Sequence, residues 1–515
     1  MPVSALILKN ANVITVDTSQ PAAGLVAVKG DKIVLVGRNE DLETVKGAKT
    51  RVIDCQGKAL VPGFNDAHCH IFSFIRKVLS VDLSPAAVKS IAAIKEAIRE
   101  KAAATPPGQW ITGTDYHDFY LAEKRHPTRW EIDEVAPHHP VVLSHRSLHA
   151  CVLNSQAMAL AGINRETSEP PGGVIERDLS TGEPSGLLFE MLGYIRHKVM
   201  PAFSEAELAQ GTALVNQHFL SVGLTSLQDA TITNEYLRWP IYQRFKEKGQ
   251  LKSRVYLMTG VDELSKFQEA GLGFRSGDDH LRLGGIKIVL TESTGALYPP
   301  QPELNRIVLD MHRAGFQVAM HAVQPSTVEA AITALEYVRS NSPQTDRRHR
   351  IEHCSECPPA LLERLKKVGA VVVSQPPFIY YSGERYLAMI KPEQIQWLYR
   401  FKSFWENDLV VAGSSDSPIV PNNPLMGIYA AVTRRVQSGQ QLPSQECISA
   451  RQALAMYTAN AAYASFDENI KGTITPGKLA DLVLLSGDPT TVPPEEIKDI
   501  KVEMTILGGK VVYEA

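Results

Sequence analysis

Short apolar runs alternate with helical patterns through the middle of the chain. Segment 326–338 has helical periodicity after a Pro-Ser-Thr start, and segment 359–369 is a second helix that ends on a glycine. The second helix leads into a valine-rich run at 370–374, and similar strand-like runs lie at 223–229 and 254–258. Alternating strands and helices predict an α/β fold with a parallel sheet.

The two ends of the chain show a different pattern. Short strand-like runs with polar breaks fill residues 6–54 and recur at 480–513. Neither end has enough strands for a stable sandwich of its own. We therefore predict that residues 1–60 and 470–515 pair into one small β-sandwich domain, with a second domain over residues 61–469 between them.

His68 and His70 follow the apolar run 59–61, within the sequence VPGFNDAHCH. Residues two apart on a strand point to the same side, and neutral imidazole is a common metal ligand. Taken alone, the pair is as consistent with a solvated histidine-rich turn as with a metal site.

Four more chemically active residues recur at a nearly regular step. Lys287, His321, His353 and Asp416 each follow or interrupt a short apolar run, at separations of 34, 32 and 63 residues. A strand–helix unit takes roughly 30 residues, so the residues occupy the same point of successive units. In a (β/α)8 barrel of the TIM type that point is the C-terminal rim, where active sites lie. The spacing predicts such a barrel, with these residues at its rim.

Composition excludes several classes of protein. The net charge of −3 in 515 residues gives no electrostatic footprint for nucleic acid, and six cysteines do not make a disulfide framework. No apolar run approaches transmembrane length, and the first residues do not resemble a signal peptide. We expect a cytoplasmic protein that acts on a small molecule, with no nucleic-acid or membrane partner.

The chain resembles the amidohydrolase superfamily, and more closely its amidohydrolase-3 branch, over essentially its whole length. The resemblance is carried by segments 62–70, 321–322, 351–353, 413–418 and 472–482 together with Lys287, and the branch by segments 149–155, 161–163 and 171–175. It implies a metal-dependent hydrolase and makes a homodimer plausible. It also implies that segment 72–204 is an insertion after the first barrel strand.

Long insertions at a barrel rim usually contribute substrate-binding residues or cover the active site. Tyr116, His117 and His149 in the insertion are therefore candidate substrate contacts, although His149 is equally explained as a hydrogen-bonded structural residue. Tyr298 is expected to shape the rim, where an aromatic side chain is also common in simple packing.

The resemblance implies a ligand set for divalent cations. His68 and His70 would bind one cation with Asp416, and His321 and His353 would bind a second. A protonated lysine has no acceptor, so Lys287 would bridge two cations only as a carbamate formed from CO2. The alternative for Lys287 is an ion pair with an acid such as Asp229 or Glu292.

Imidazole and carboxylate ligands favour zinc, although iron, manganese or nickel would also fit. Asp416 is the expected catalytic residue, which would accept a proton from water and deliver it to the leaving nitrogen. The expected reaction is hydrolysis of an amide, N-formyl, carbamate or urea C–N bond. Two alternatives are a deaminase or cyclic-amide ring hydrolase with one metal, and a non-enzymatic protein that retains the fold.

Overall fold

The structure is a computed structural model that describes residues 5–343 and 346–515. These residues form two compact units. The first unit comprises the described residues of Met1–Ile71, Val215–Leu290 and Gln301–Ala515, and the second comprises Phe72–Leu214 and Thr291–Pro300.

An eight-stranded parallel sheet organises the first unit. Its strands, in chain order, are Phe64–Cys69, Leu224–Asp229, Arg254–Gly260, Leu281–Val289, Val318–Ala322, Arg350–His353, Val371–Ser374 and Val411–Gly413. Each strand pairs with the next along the chain, and a parallel bridge between Cys69 and Ser417 nearly closes the sheet into a cylinder. The predicted α/β barrel is confirmed.

Helices follow the barrel strands, as the sequence pattern predicts. The predicted helix 326–338 is observed as Pro325–Asn341, with a proline in its first turn. The helix Pro359–Val368 ends at Gly369, whose φ of 69° is left-handed and suits glycine. The other helices of the first unit after the second strand are Arg238–Glu247, Leu264–Glu269, Gln301–Arg313, Pro377–Met389, Pro392–Ile395, Phe401–Glu406, Pro424–Thr433, Ala450–Met456 and Ala459–Ala464.

Strands from both ends of the chain share one sheet in the first unit. Leu482–Leu485 pairs antiparallel with Ala59–Pro62, which pairs on its other side with Asn12–Ile14. This six-stranded sheet also contains Ala22–Ala23, Val502–Leu507 and Lys510–Glu514, and a four-stranded sheet contains Leu6–Lys9, Leu25–Lys29, Lys32–Gly37 and Arg51–Asp54. Side chains of both sheets share one buried apolar cluster. The division into domains at 1–60, 61–469 and 470–515 stays a prediction.

The second unit contains the segment predicted as an insertion, 72–204, and extends to Leu214. Thr291–Pro300, which follows the fourth barrel strand in the chain, also belongs to it and was not predicted. Its sheet runs in the order Val174–Arg177, Pro184–Phe189, Ala150–Leu153, Val141–His145, Ile111–Tyr116 and Val81–Asp82. Its helices include Ile91–Ala103, Arg129–Asp133 and Ser155–Leu160.

The helices Ile71–Leu79 and Glu205–Ser221 each cross the boundary between the two units along the chain. Across the described residues, no helix combines the length and the apolar character that a membrane span requires.

Candidate metal centre

All six residues predicted as metal ligands lie in the first unit, at the C-terminal ends of barrel strands or just beyond them. Their positions are His68 in the first strand, His70 directly after it, Lys287 in the fourth, His321 in the fifth, His353 at the end of the sixth and Asp416 after the eighth. The regular spacing in the sequence thus corresponds to one rim of the barrel.

His68, His70 and Asp416 form a compact group. One ligand atom from each lies within 4.8 Å of the other two, a separation at which they could hold a metal ion. Asp416 Oδ1 lies 3.0 Å from His70 Nε2 and 3.4 Å from His68 Nε2. His70 Nδ1 lies 2.8 Å from Thr231 Oγ1, which fixes the orientation of the ring. The two imidazoles therefore present their Nε2 atoms to the same carboxylate.

The hydrogen bonds around His353 leave its Nε2 unprotonated and buried, with a free lone pair. Ser414 Oγ donates to the main chain of Ser374, so it accepts from Gln375 Nε2 at 3.0 Å. Gln375 Oε1 then faces His353 Nδ1 at 2.8 Å and accepts its proton. Among the described residues, His353 Nε2 is buried with no hydrogen-bond partner. An imidazole held in this tautomer, with an unshared lone pair, fits a metal ligand.

The rings of the remaining histidines are close together. His353 lies 4.9 Å from His68 and 4.3 Å from His321 between ring centroids. Burial lowers the pKa of His353 to about 4 and that of His68 well below its usual value. Both imidazoles are therefore neutral at pH 7, the form that binds cations.

Lys287 is buried beside these histidines, with Nζ 3.4 Å from His68 Nε2. Burial lowers its pKa to about 8. Asp229, an alternative partner considered from the sequence, instead accepts hydrogen bonds from Tyr242 Oη at 2.6 Å and from Thr231 N at 3.1 Å. The Lys287 amine thus faces the centre.

Asp416 remains ionised although it is buried. Burial alone would raise its pKa, but the contact with His70 and the nearby imidazoles hold the pKa below its ordinary value. Asp416 and His353 also have left-handed backbones, with φ of 58° and 71°. Such conformations are costly for residues other than glycine and concentrate at functional sites.

Sequence reasoning missed the residues that hold the predicted ligands in place. Glu352 Oε2 contacts His68 Nδ1, and Arg350 Nε donates to Glu352 Oε1 at 2.6 Å. Asp66 accepts from the Ser415 main chain at 3.0 Å. A usable signal existed at 350–352, because two charged residues two apart on a buried strand must share a face and be paired.

The four predicted substrate contacts lie in the second unit, and their roles stay predictions. Tyr116 is fully buried, with Oη 3.0 Å from His126 Nδ1. His149 Nδ1 lies 2.9 Å from Glu190 Oε2, as expected of a structural histidine. Tyr298 is 41% exposed.

A second group of potential ligands lies in this unit, where His117 and His145 flank Asp118 within 4.8 Å. The Phe119 main chain donates to His117 Nδ1 at 3.2 Å, and the Ser147 main chain donates to His145 Nδ1 at 3.1 Å. His145 Nε2 therefore carries the proton that faces Asp118 Oδ1 at 3.2 Å. This arrangement favours a hydrogen-bonded cluster over a cation site.

Comparisons with known proteins identify the family of this chain. The chain is 30% identical to the N-substituted formamide deformylase of Arthrobacter pascens, over 99% of this chain and 98% of that protein. It is 27% identical to the putative amidohydrolase YtcJ of Bacillus subtilis (strain 168), over 93% of each. An uncharacterized metal-dependent hydrolase from Pyrococcus horikoshii OT3 has a similar fold, with a TM-score of 0.76, 23% identity, and coverage of 95% of this chain and 99% of that one. Residues 51–513 match the amidohydrolase family, and the chain belongs to that family.

Proposed function

We propose that this protein is a metal-dependent hydrolase that cleaves a C–N bond of a small molecule, of the amide, N-formyl, carbamate or urea type. The convergence of His68, His70 and Asp416 on one point of the barrel rim carries this proposal. The name of the relative N-substituted formamide deformylase makes N-substituted formamides the first substrates to test.

The residues of the rim would have two roles, cation binding and proton transfer. His68, His70 and Asp416 would hold a divalent cation, with zinc favoured by the nitrogen and oxygen ligands. When bound, the cation supplies Lewis-acid activation of water and of the scissile carbonyl. Asp416, ionised and in contact with His70, accepts the proton of the attacking water and delivers it to the leaving nitrogen.

Lys287 would complete a second cation site as a carbamate. Its amine lies in contact with His68, one of the proposed ligands, where a positive charge would repel a bound cation. The neutral amine would form an N–C bond with CO2 and release a proton, which gives an anionic carbamate with two oxygen atoms that could bind cations. His321 and His353 would then provide the remaining ligands, of which His353 Nε2 is already a buried lone pair.

One observation favours the alternative of a single metal. Within the described part of the first unit, one group of three or more His, Cys, Asp or Glu side chains has its ligand atoms all within 4.8 Å of one another, that of His68, His70 and Asp416. A deaminase or cyclic-amide ring hydrolase with one cation would need only that group.

The test combines metal analysis with product analysis. The purified protein, loaded with Zn2+, is assayed with N-substituted formamides, N-acyl amines, carbamates and ureas, and metal content per chain is measured. Hydrolysis of one class with two cations per chain supports the proposal. Ammonia release from aminopurines, or opening of a cyclic amide, with one cation per chain supports the alternative. A protein that neither binds Zn2+ nor hydrolyses any of these compounds contradicts both.

A further inference from the structure

A fully buried charged network lies behind the candidate metal centre. Arg350 and Glu352 both have no solvent exposure and stand on the same face of the sixth barrel strand. Arg350 Nε and Nη2 donate to the two carboxylate oxygens of Glu352 at 2.6 and 3.0 Å. Burying such a pair is costly unless its remaining hydrogen-bonding groups are also satisfied.

The network reaches the first two strands of the barrel. Arg350 Nη2 also donates to the carbonyl oxygen of Ala67 at 2.7 Å, and Nη1 donates to Gln228 Oε1 at 2.5 Å. Ala67 directly precedes His68, whose Nδ1 contacts Glu352 Oε2. Both the main chain beside His68 and its imidazole are therefore fixed by one pair of charges from the sixth strand.

The contacts decide which nitrogen of His68 carries the proton. The guanidinium has only donors, so the Glu352 carboxylate that receives it acts as an acceptor. His68 Nδ1 must then donate to Glu352, and a neutral ring leaves the lone pair on Nε2. That atom faces the centre, 3.4 Å from both Asp416 Oδ1 and Lys287 Nζ.

We propose that Glu352 is a positioning residue for the metal centre, which holds His68 in the Nδ1–H tautomer with Nε2 directed at the cation, while Arg350 holds Glu352. This inference rests on the proposed function. Glu352 itself is not a ligand in this arrangement, because both of its oxygens are occupied by Arg350 and His68. A carboxylate that accepts from a ligating histidine orients the ring and raises its basicity as a ligand.

The test is the affinity of the metal-free protein for Zn2+, measured by competition with a chromophoric chelator. Glu352→Gln preserves the shape of the side chain and removes its charge. We expect Zn2+ affinity to fall roughly 10- to 100-fold and the visible absorption of the Co2+-substituted protein to change. Glu352→Asp retains the charge and should recover part of the affinity.

A matched control separates positioning from general stability. Arg254 and Asp481 form another buried pair in the same unit, with contacts of 2.6 and 3.0 Å, at the start of the third barrel strand. Asp481→Asn should lower the thermal stability of the metal-free protein and leave both Zn2+ affinity and the Co2+ spectrum at wild-type values. Equal loss of affinity in Asp481→Asn and Glu352→Gln would overturn the positioning role.

A crystal structure of the zinc-loaded wild-type protein tests the same inference without a variant. Zinc on His68 Nε2, with Glu352 within hydrogen-bonding distance of Nδ1, supports it. Zinc on Nδ1, or Glu352 bound directly to zinc, overturns it. Unchanged affinity in Glu352→Gln refutes only the positioning role, whereas a wild-type protein that binds no Zn2+ refutes the proposed function as well.

Discussion

The main-chain N–H of Asp416 donates to the carbonyl oxygen of His68 at 2.8 Å. The two residues are proposed ligands of one cation, and they lie where the segment after the eighth strand meets the first strand. His70 N donates in turn to the carbonyl of Ser417 at 2.7 Å. The bonds that close the barrel therefore also set the spacing of the candidate ligands.

Removal of the Asp416 carboxylate should strongly reduce turnover and leave the protein folded. Asp416→Ala removes the proposed proton carrier, so we expect kcat to fall by roughly 100- to 10,000-fold on whichever substrate the wild-type protein hydrolyses. Steady-state kinetics and circular dichroism measure the two effects. Asp408→Ala, at an exposed position before the eighth strand, serves as the control and should retain full activity. Undiminished turnover by Asp416→Ala would exclude the assigned role.

Lys287→Ala should lose one cation per chain together with activity. The variant cannot form a carbamate, so the second site lacks its bridging ligand, while the group around His68 remains. Metal content by mass spectrometry and activity with and without added formate or acetate are the measurements, since a small carboxylate can occupy the space of the lost carbamate. One cation per chain in both the wild type and this variant, with activity retained, would favour the one-metal alternative.

The contact between Ser415 and Asp66 should contribute to stability through barrel closure. The Ser415 hydroxyl donates a hydrogen bond to the Asp66 carboxylate, and the Ser415 main-chain N–H donates a second one to Asp66 Oδ1 at 3.0 Å. The same hydroxyl accepts from Ser417 N at 2.9 Å, so Ser415→Ala removes two buried hydrogen bonds. Each such loss costs about 1–3 kcal/mol, and the variant should lower the thermal midpoint of the metal-free protein. Ser340→Ala, on an exposed helical position, is the control. Equal midpoints for the two variants would contradict the role of this contact.

The buried pair of His312 and His349, the second of which directly precedes the sixth barrel strand, should make the metal-free protein sensitive to acid. Burial, with His312 nearby, lowers the pKa of His349 to about 3, against an ordinary value of 6.5. Between these values the unfolded chain binds a proton that the folded protein does not, so stability is present above pH 6.5 and is lost as the pH falls toward 3.

His349→Gln removes this source of acid sensitivity. In chelator-treated protein, the unfolding free energy lost between pH 7.5 and pH 5 should be smaller in His349→Gln than in the wild type, by up to about 1.4 kcal/mol for each pH unit below 6.5. The thermal midpoint of the variant should therefore fall less over the same pH range. His138→Gln, at an exposed position, should match the wild type. A variant with the full wild-type dependence on pH would show that His349 does not contribute.

The barrel and its candidate ligands could be predicted because both depend on repetition. A strand–helix unit of nearly constant length brings Lys287, His321 and His353 to the same rim. The orientation of the rings could not be predicted in this way, because it depends on contacts between strands distant in the chain. Glu352 with His68 and Gln375 with His353 are two such contacts.

The first and last residues of the second unit could not be predicted from the sequence pattern either. The predicted insertion ends at 204, whereas the unit reaches Leu214 and includes Thr291–Pro300. Glu190 accepts a hydrogen bond from Ser293 at 2.9 Å, a contact across about a hundred positions that leaves no periodic signal.

During translation, one edge of the strand Ala59–Pro62 stays without its hydrogen-bonded neighbour. Its neighbour Leu482–Leu485 emerges from the ribosome only when most of the polypeptide has been made. Until then the edge offers unpaired amides and carbonyls to other nascent chains. Transcripts truncated upstream of Leu482 should therefore yield insoluble product even though every barrel strand is encoded.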